Sequence, residues 1–175
     1  PGWKFPPRSP SVPTHPRLLV LDPGHGGCDP GAARGDQHEA DLTLDMAKRL
    51  RDILTTRGWQ VVMTRTTDAD VYKPNDSARE ELQARDDVAN NAGARLLISI
   101  HVNSFINSGP RGTTTYYSKP GDVPLARAVQ AIVAARLCPL AHVLVKRQVF
   151  GTAHAKSPAL LVEGAVRSNP TVLAH

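Results

Sequence analysis

The sequence predicts an α/β domain with a twisted, mixed but mostly parallel sheet of about six strands, flanked by helices on both faces. Three observations lead there. From Leu18 onward, short apolar runs alternate with segments whose apolar residues recur every three to four positions, the pattern of strands interleaved with helices. Gly58 and Gly93 close two of the helical segments, where a left-handed residue ends a helix with least strain. The 175 residues, 41% of them hydrophobic, suffice for one core rather than several.

Taken in order, Pro1 to Arg17 carries Pro1, Pro6, Pro7, Pro10, Pro13 and Pro16. Residues without amide protons and with fixed φ oppose both helix and central strand, so 1–17 is expected to be an extended linker and 18–175 the folded domain. Leu18 to Leu21 forms the first strand and breaks at Asp22-Pro23-Gly24. A helix from about Glu39 to Arg57 has its apolar stripe at Leu42, Met46, Leu50, Ile53 and Leu54, and Asp36 lies three residues before Glu39, the spacing of a capping box. Then come a strand at Trp59 to Thr64, a helix at Ser77 to Ala92 and a strand at Leu96 to His101. A strand at Thr113 to Tyr117 precedes a third helix, Pro124 to Leu137, with Leu125, Val129, Ile132 and Val133 inward. A short segment near Val149 and the run Ala159 to Val162 complete the sheet.

Composition narrows the function. Aromatic residues are 5% of the chain, too few for a stacking platform of the kind single-stranded nucleic acid uses. The net charge of +5 favours anionic polymers, but the basic residues are scattered rather than gathered in a stripe, so nucleic acid is not the expected partner. Cys28 and Cys138 are too few for a disulfide framework and lack Cys-x-x-Cys spacing. No apolar run reaches the length of a membrane span, and no signal-like segment opens the chain. The expectation is a monomer that does not insert in membranes, with any export signal or wall-binding module lying upstream.

Ligands of open α/β sheets gather beyond the carboxyl ends of the strands. His25 follows the first strand between glycines, His101 ends the third, and Glu163 follows Leu160-Leu161-Val162. Each has an ordinary alternative: a solvated turn for His25, a packed imidazole for His101, an ion pair with an arginine for Glu163, and helix capping for Glu39. Strand alternation puts Ser99 and His101 on one face, with Leu96, Ile98 and Ile100 on the other. The glycines near His25 lack the order of a phosphate loop, and no Gly-Lys-Ser/Thr follows. Two histidines and a carboxylate are a common ligand set for catalytic zinc, and a further carboxylate can then act as general base.

Five ordered stretches carry a resemblance: LVLDPGHGGCDPGA from Leu19, HEADLTLDMAKRL from His38, VVMTR from Val61, ARDDVANNAGARLLISIHVNS from Ala84 and SPALLVEGAVRSNP from Ser157. Together they resemble the zinc-dependent N-acetylmuramoyl-L-alanine amidases over roughly Leu18 to Pro170. The resemblance implies one zinc ion held by His25, Glu39 and His101, with Glu163 as the catalytic glutamate that takes a proton from water. Asn103 and Ser104, a polar strand end, and His154, in the loop before the last strand, are the candidates to contact substrate, with a solvated loop histidine as the ordinary reading of His154. It also implies peptidoglycan as substrate, cut between N-acetylmuramic acid and L-alanine, and action outside the cytoplasm, with an activator as a conceivable further partner. Arg85 and Asn90 match the family pattern and are expected to be structural.

Departures are Ala40, where the family often has a basic residue, and Cys28, three residues after His25 and a candidate competing ligand. Ser118 to Pro124 is short, the uninserted form without a regulatory helix, and a final family helix beyond Pro170 is expected to be missing or trimmed. The alternatives are a zinc peptidase or deacetylase acting on another wall amide, and a non-catalytic basic wall-binding module.

Overall fold

The computed structural model describes residues 17–103, 112–137, 142–147 and 152–166. Its elements run β1 (Leu18–Pro23), β2 (Ala33–Arg34), β3 (Gln37–His38), α1 (Glu39–Thr56), β4 (Gln60–Met63), α2 (Ala78–Ala92), β5 (Leu96–Asn103), β6 (Gly112–Tyr117), α3 (Val123–Leu137), β7 (His142–Arg147) and β8 (Ala159–Val166). The main sheet has the order β4-β1-β5-β8-β6-β7, while β2 and β3 form a separate small hairpin. The strands β4, β1, β5 and β8 are mutually parallel; β6 runs antiparallel to β8, and β7 parallel to β6. The expected α/β architecture, mixed and mostly parallel with six strands, is therefore present.

Alternation along the central strands divides the core. Leu19, Leu21 and Ile100 pack with Ala47 of α1, while Val20 and Leu97 pack with Ala89 of α2 on the opposite face. Helix α3 places Ala126 against Leu160 and Val162, and Ile98 touches both its cluster and that of α1. Two helices thus cover one face and one covers the other. Such burial contributes roughly 25 cal/mol per Å² of apolar surface removed from water.

The helix stripes differ from expectation in detail. In α1 the buried positions are Glu39, Ala40, Thr43 and Ala47, with Leu50 and Leu54 packed beside them, whereas Met46 and Ile53 are exposed. In α3, Ile132 is exposed and Gln130 is buried, with its amide donating to Thr113 O and Oγ1 and its carbonyl accepting from Thr115. Small residues let the helix approach the sheet closely, so the inward stripe is not the stripe of largest side chains.

The capping box expected at Asp36 and Glu39 does not form. His38 is the N-cap of α1 and makes no side-chain cap; the amides of Glu39 and Ala40 donate instead to the carbonyls of Ala32 and Pro30. The β2–β3 hairpin, absent from the sequence expectation, delivers the chain so that backbone does the capping and frees the Glu39 carboxylate. A complete box sits at α2, where Ser77 and Glu80 bond reciprocally.

Two strand ends also move. Strand β5 continues through His101 to Asn103, and β8 continues past Glu163 to Val166, so that neither residue terminates its strand. The strand expected near Val149 is found at His142–Arg147; Val149 itself, the linker residues before Arg17, Cys138 and the residues after Val166 lie outside the described residues. Among the described residues, no helix is long and apolar enough to cross a membrane.

Candidate metal centre

The site is built on the carboxyl end of β1. His25 has φ 59° and is followed by Gly26 at 119° and Gly27 at 60°, a run of left-handed backbone that a non-glycine residue adopts only when its surroundings impose it. Two buried arginines impose it here. Arg85 donates to Pro23 O (2.8 Å) and His25 O (2.9 Å) while bonding Asp22 Oδ1 (2.8 Å) and Glu81 Oε1 (2.6 Å). Arg65 donates to Pro23 O (3.0 Å), Gly24 O (2.9 Å) and Ala40 O (2.8 Å), which ties the His25 turn to the first turn of α1.

Asp22 anchors this arrangement from below, accepting from Ser99 (2.6 Å) and Thr64 (2.7 Å) as well as Arg85. Burial would push its carboxyl up, but the Arg85 charge and the two hydroxyls outweigh burial and hold it below the ordinary range. The expectation that Arg85 and Asn90 are structural agrees with these contacts: Asn90 accepts from Lys156 N and donates to His154 O, fastening the segment before β8 to α2.

Three side chains converge above this base. His25 Nε2 and His101 Nδ1 each lie 3.2 Å from Glu39 Oε1, and one donor atom from each residue falls within 4.8 Å of the others. The two rings meet edge to face, with centroids 4.8 Å apart. Glu39 is held at both oxygens, Oε1 accepting from Val102 N (3.0 Å) and Oε2 from Ala32 N (3.2 Å). Gly24 must lack a side chain, since a Cβ there would sit 2.6 Å from His101 Nδ1. Burial would raise the Glu39 carboxyl, but hydrogen bonds from His101, His25 and Val102 override it and keep Glu39 ionised far below the ordinary range. For His25, burial opposes the charged ring, yet the bonds to Glu39 and Asp29 outweigh it and raise its pKa.

Strand register brings in the fourth residue. His101 of β5 stands directly opposite Glu163 of β8. Glu163 Oε2 is buried and has no hydrogen-bond partner among the described residues, and no arginine among them makes the ion pair offered as its ordinary explanation. Burial pushes the Glu163 carboxyl above its ordinary range, nearby Glu39 adds to the rise, and His101 and His25 oppose it. Two imidazoles and one ionised carboxylate, converging beside a carboxylate whose Oε2 has no hydrogen-bond partner among the described residues, are a donor set that fits zinc with an open coordination position.

The remaining sequence candidates are less involved. Cys28 is exposed and its amide is drawn to Asp70 (3.0 Å), so its thiol stands outside the converging group. His154 is exposed; its amide donates to Asp86 Oδ2 (2.8 Å), which ties its backbone to α2. The backbone of Asn103 pairs with Val166, while Ser104 lies outside the described residues. Sequence reasoning missed Asp29, whose Oδ2 is 2.8 Å from His25 Nδ1, and Arg65. The signal for Asp29 was its position four residues after His25, in the same turn.

Comparison with known proteins places the chain in a family. Residues 19–175 match the family described as N-acetylmuramoyl-L-alanine amidase. The germination-specific N-acetylmuramoyl-L-alanine amidase of Bacillus subtilis strain 168 is 38% identical over 112 residues, covering 61% of this chain and 47% of that protein. The amidase LytC of the same organism is 32% identical over 155 residues, 86% of this chain and 29% of its own length. This chain thus spans less than half the length of these two relatives. Among solved structures, the CwlD amidase of Clostridioides difficile, in complex with the GerS lipoprotein, superposes with a TM-score of 0.80 at 29% identity, covering 90% of this chain and 86% of that one. The catalytic domain of CwlV from Bacillus (Paenibacillus) polymyxa gives 0.74 at 28% identity, with 90% and 85% covered. Family match, fold and the converging histidines and glutamates lead to one assignment: the chain belongs to the N-acetylmuramoyl-L-alanine amidase family.

Proposed function

We propose that this chain is a zinc-dependent hydrolase that cleaves the amide between the lactyl group of N-acetylmuramic acid and the first L-alanine of the peptidoglycan stem. The observation that carries the reading is the convergence of His25, Glu39 and His101 beside Glu163, whose Oε2 is buried and without a hydrogen-bond partner among the described residues. His25, Glu39 and His101 would hold the ion. Bound zinc supplies Lewis acidity, which polarises an amide carbonyl and acidifies water towards neutrality.

The protein's own groups do the rest. Glu163 has the raised affinity for protons that a general base working near neutral pH needs. It takes one proton as the water oxygen bonds to the carbonyl carbon, then gives that proton to the alanine nitrogen as the carbon–nitrogen bond breaks. The products are a lactyl carboxylate and a stem peptide with a free N-terminal alanine. Asp22, Arg85 and Arg65 keep the His25 turn from relaxing during this exchange. The reading places the protein's work outside the cytoplasm, where the polymer lies, as a monomer.

Mass spectrometry of peptidoglycan digested by the zinc-loaded protein tests the proposal. Released stems beginning with alanine, together with glycan bearing free lactyl carboxylates, are expected. Cleavage between amino acids, loss of acetyl groups, or binding without cleavage would each replace the proposal with one of the alternatives.

A further inference from the structure

We propose that Asp29 is a positioning residue for the metal centre, fixing which nitrogen of His25 faces the ion. The inference rests on the zinc site proposed above and concerns a residue outside its ligand set.

An exposed carboxylate four residues from a histidine would ordinarily be a surface ion pair of little consequence. Asp29 is 68% exposed, but it is not free to wander. Its backbone exchanges two hydrogen bonds with Gly26, at 2.8 and 3.2 Å, so residue 29 is pinned opposite the residue that follows His25. Its Oδ1 accepts from Gly31 N at 2.9 Å, which leaves Oδ2 aimed at His25 Nδ1 at 2.8 Å.

Gly31 completes the cradle. With φ +65° it turns the chain so closely over His25 that a Cβ would lie 2.7 Å from the imidazole Cγ and 2.9 Å from Glu39 Cβ. The carboxylate that orients the ring therefore also shapes the turn that packs against it. With Nδ1–H donated to Asp29, Nε2, which stands 3.2 Å from Glu39 Oε1, is the nitrogen left to bind an ion that takes the place of its proton. A neutral imidazole carries one proton, so the Asp29 bond selects the tautomer able to bind a metal through Nε2. A carboxylate behind a ligating histidine also makes the ligand more basic, and losing one typically lowers metal affinity about 10- to 100-fold.

The experiment measures zinc affinity by competition with a chromophoric chelator for the wild-type chain, Asp29→Ala and Asp29→Asn. It adds the imidazole nitrogen NMR signature of His25 and the melting temperature of each metal-free protein. Asp29→Ala is expected to bind zinc about 10- to 100-fold more weakly. In the zinc-loaded protein its His25 should lose the hydrogen-bonded Nδ1–H signal that the wild type shows, with the His101 signals unchanged. Asp29→Asn keeps an acceptor for Gly31 N and should fall between the two. Metal-free melting temperatures should fall by no more than about 4 °C, the worth of about 1 kcal/mol for the lost hydrogen bonds. Wild-type-like affinity or an unchanged His25 signature in both variants overturns the assignment, as does an affinity loss matched by a collapse of the metal-free fold in both. A wild-type chain that takes no zinc overturns the metal site as well, which separates the two failures.

Discussion

Replacing Asp86 by asparagine should make the protein more stable above neutral pH and flatten the pH dependence of its stability. Asp86 in α2 is 1% exposed. Its Oδ2 accepts from His154 N, and its Oδ1 is buried without a hydrogen-bond partner among the described residues. Burial pushes its carboxyl up to about 7, with Asp22 adding to the rise and the His154 bond and Lys119 opposing it. A carboxyl that ionises near 7 when folded and near 3.8 when unfolded binds its proton more tightly in the folded state. Its contribution to stability is therefore complete below about pH 4 and is lost as the pH rises towards 7. The loss is on the order of 4 kcal/mol, a large part of the total of about 5–15 kcal/mol that holds a domain together.

Asparagine keeps a carbonyl for His154 N and cannot ionise. Urea unfolding of metal-free wild type and Asp86→Asn at pH 5 and pH 8 isolates the effect, because every other titrating group is common to both proteins. The variant should gain most of that energy relative to wild type on going from pH 5 to pH 8. Parallel pH curves, or a variant that is the less stable protein at pH 8, would refute the reasoning.

Three further outcomes are expected. Glu163→Gln should retain zinc while losing about 10²- to 10⁴-fold in turnover, the usual worth of a general base; metal analysis and product release on the same preparation check it. Arg85→Met strands the buried Asp22 charge and should cost about 3–5 kcal/mol of stability, read from the urea midpoint. Gly24→Ala would force the His101 ring away from a Cβ only 2.6 Å from its Nδ1. Metal sites tolerate displacements of about 0.2 Å, so chelator competition should show zinc affinity lowered about tenfold or more.

Much of the site was legible because its residues sit at fixed places on strands. Once β1, β5 and β8 are parallel neighbours, His25, His101 and Glu163 must share a rim, and the register confirms it by pairing His101 with Glu163. What escaped was set by tertiary contacts. Glu39 carried the spacing of a capping residue, yet the backbone of Pro30 and Ala32 caps α1 and the carboxylate turns to the histidines. Met46, Ile53 and Ile132 fitted the helical period but lie outside, because Ala47 and Ala126 face the sheet. Period-two alternation also says nothing of strand direction, so the reversal of β6 and β7 had no sequence signal. Arg65 ends the VVMTR stretch of the resemblance but carried no role in the sequence reading; only the fold shows it buried, with the carbonyls of Pro23, Gly24 and Ala40 as its partners.

Anomalous diffraction at the zinc edge from crystals of the zinc-loaded protein tests the central claim most directly. One strong peak is expected, about 2.0–2.2 Å from His25 Nε2, Glu39 Oε1 and His101 Nδ1, with the Glu163 carboxylate facing it and Cys28 remote. No peak between those atoms, or an ion held by Cys28 in place of one of them, would contradict the account.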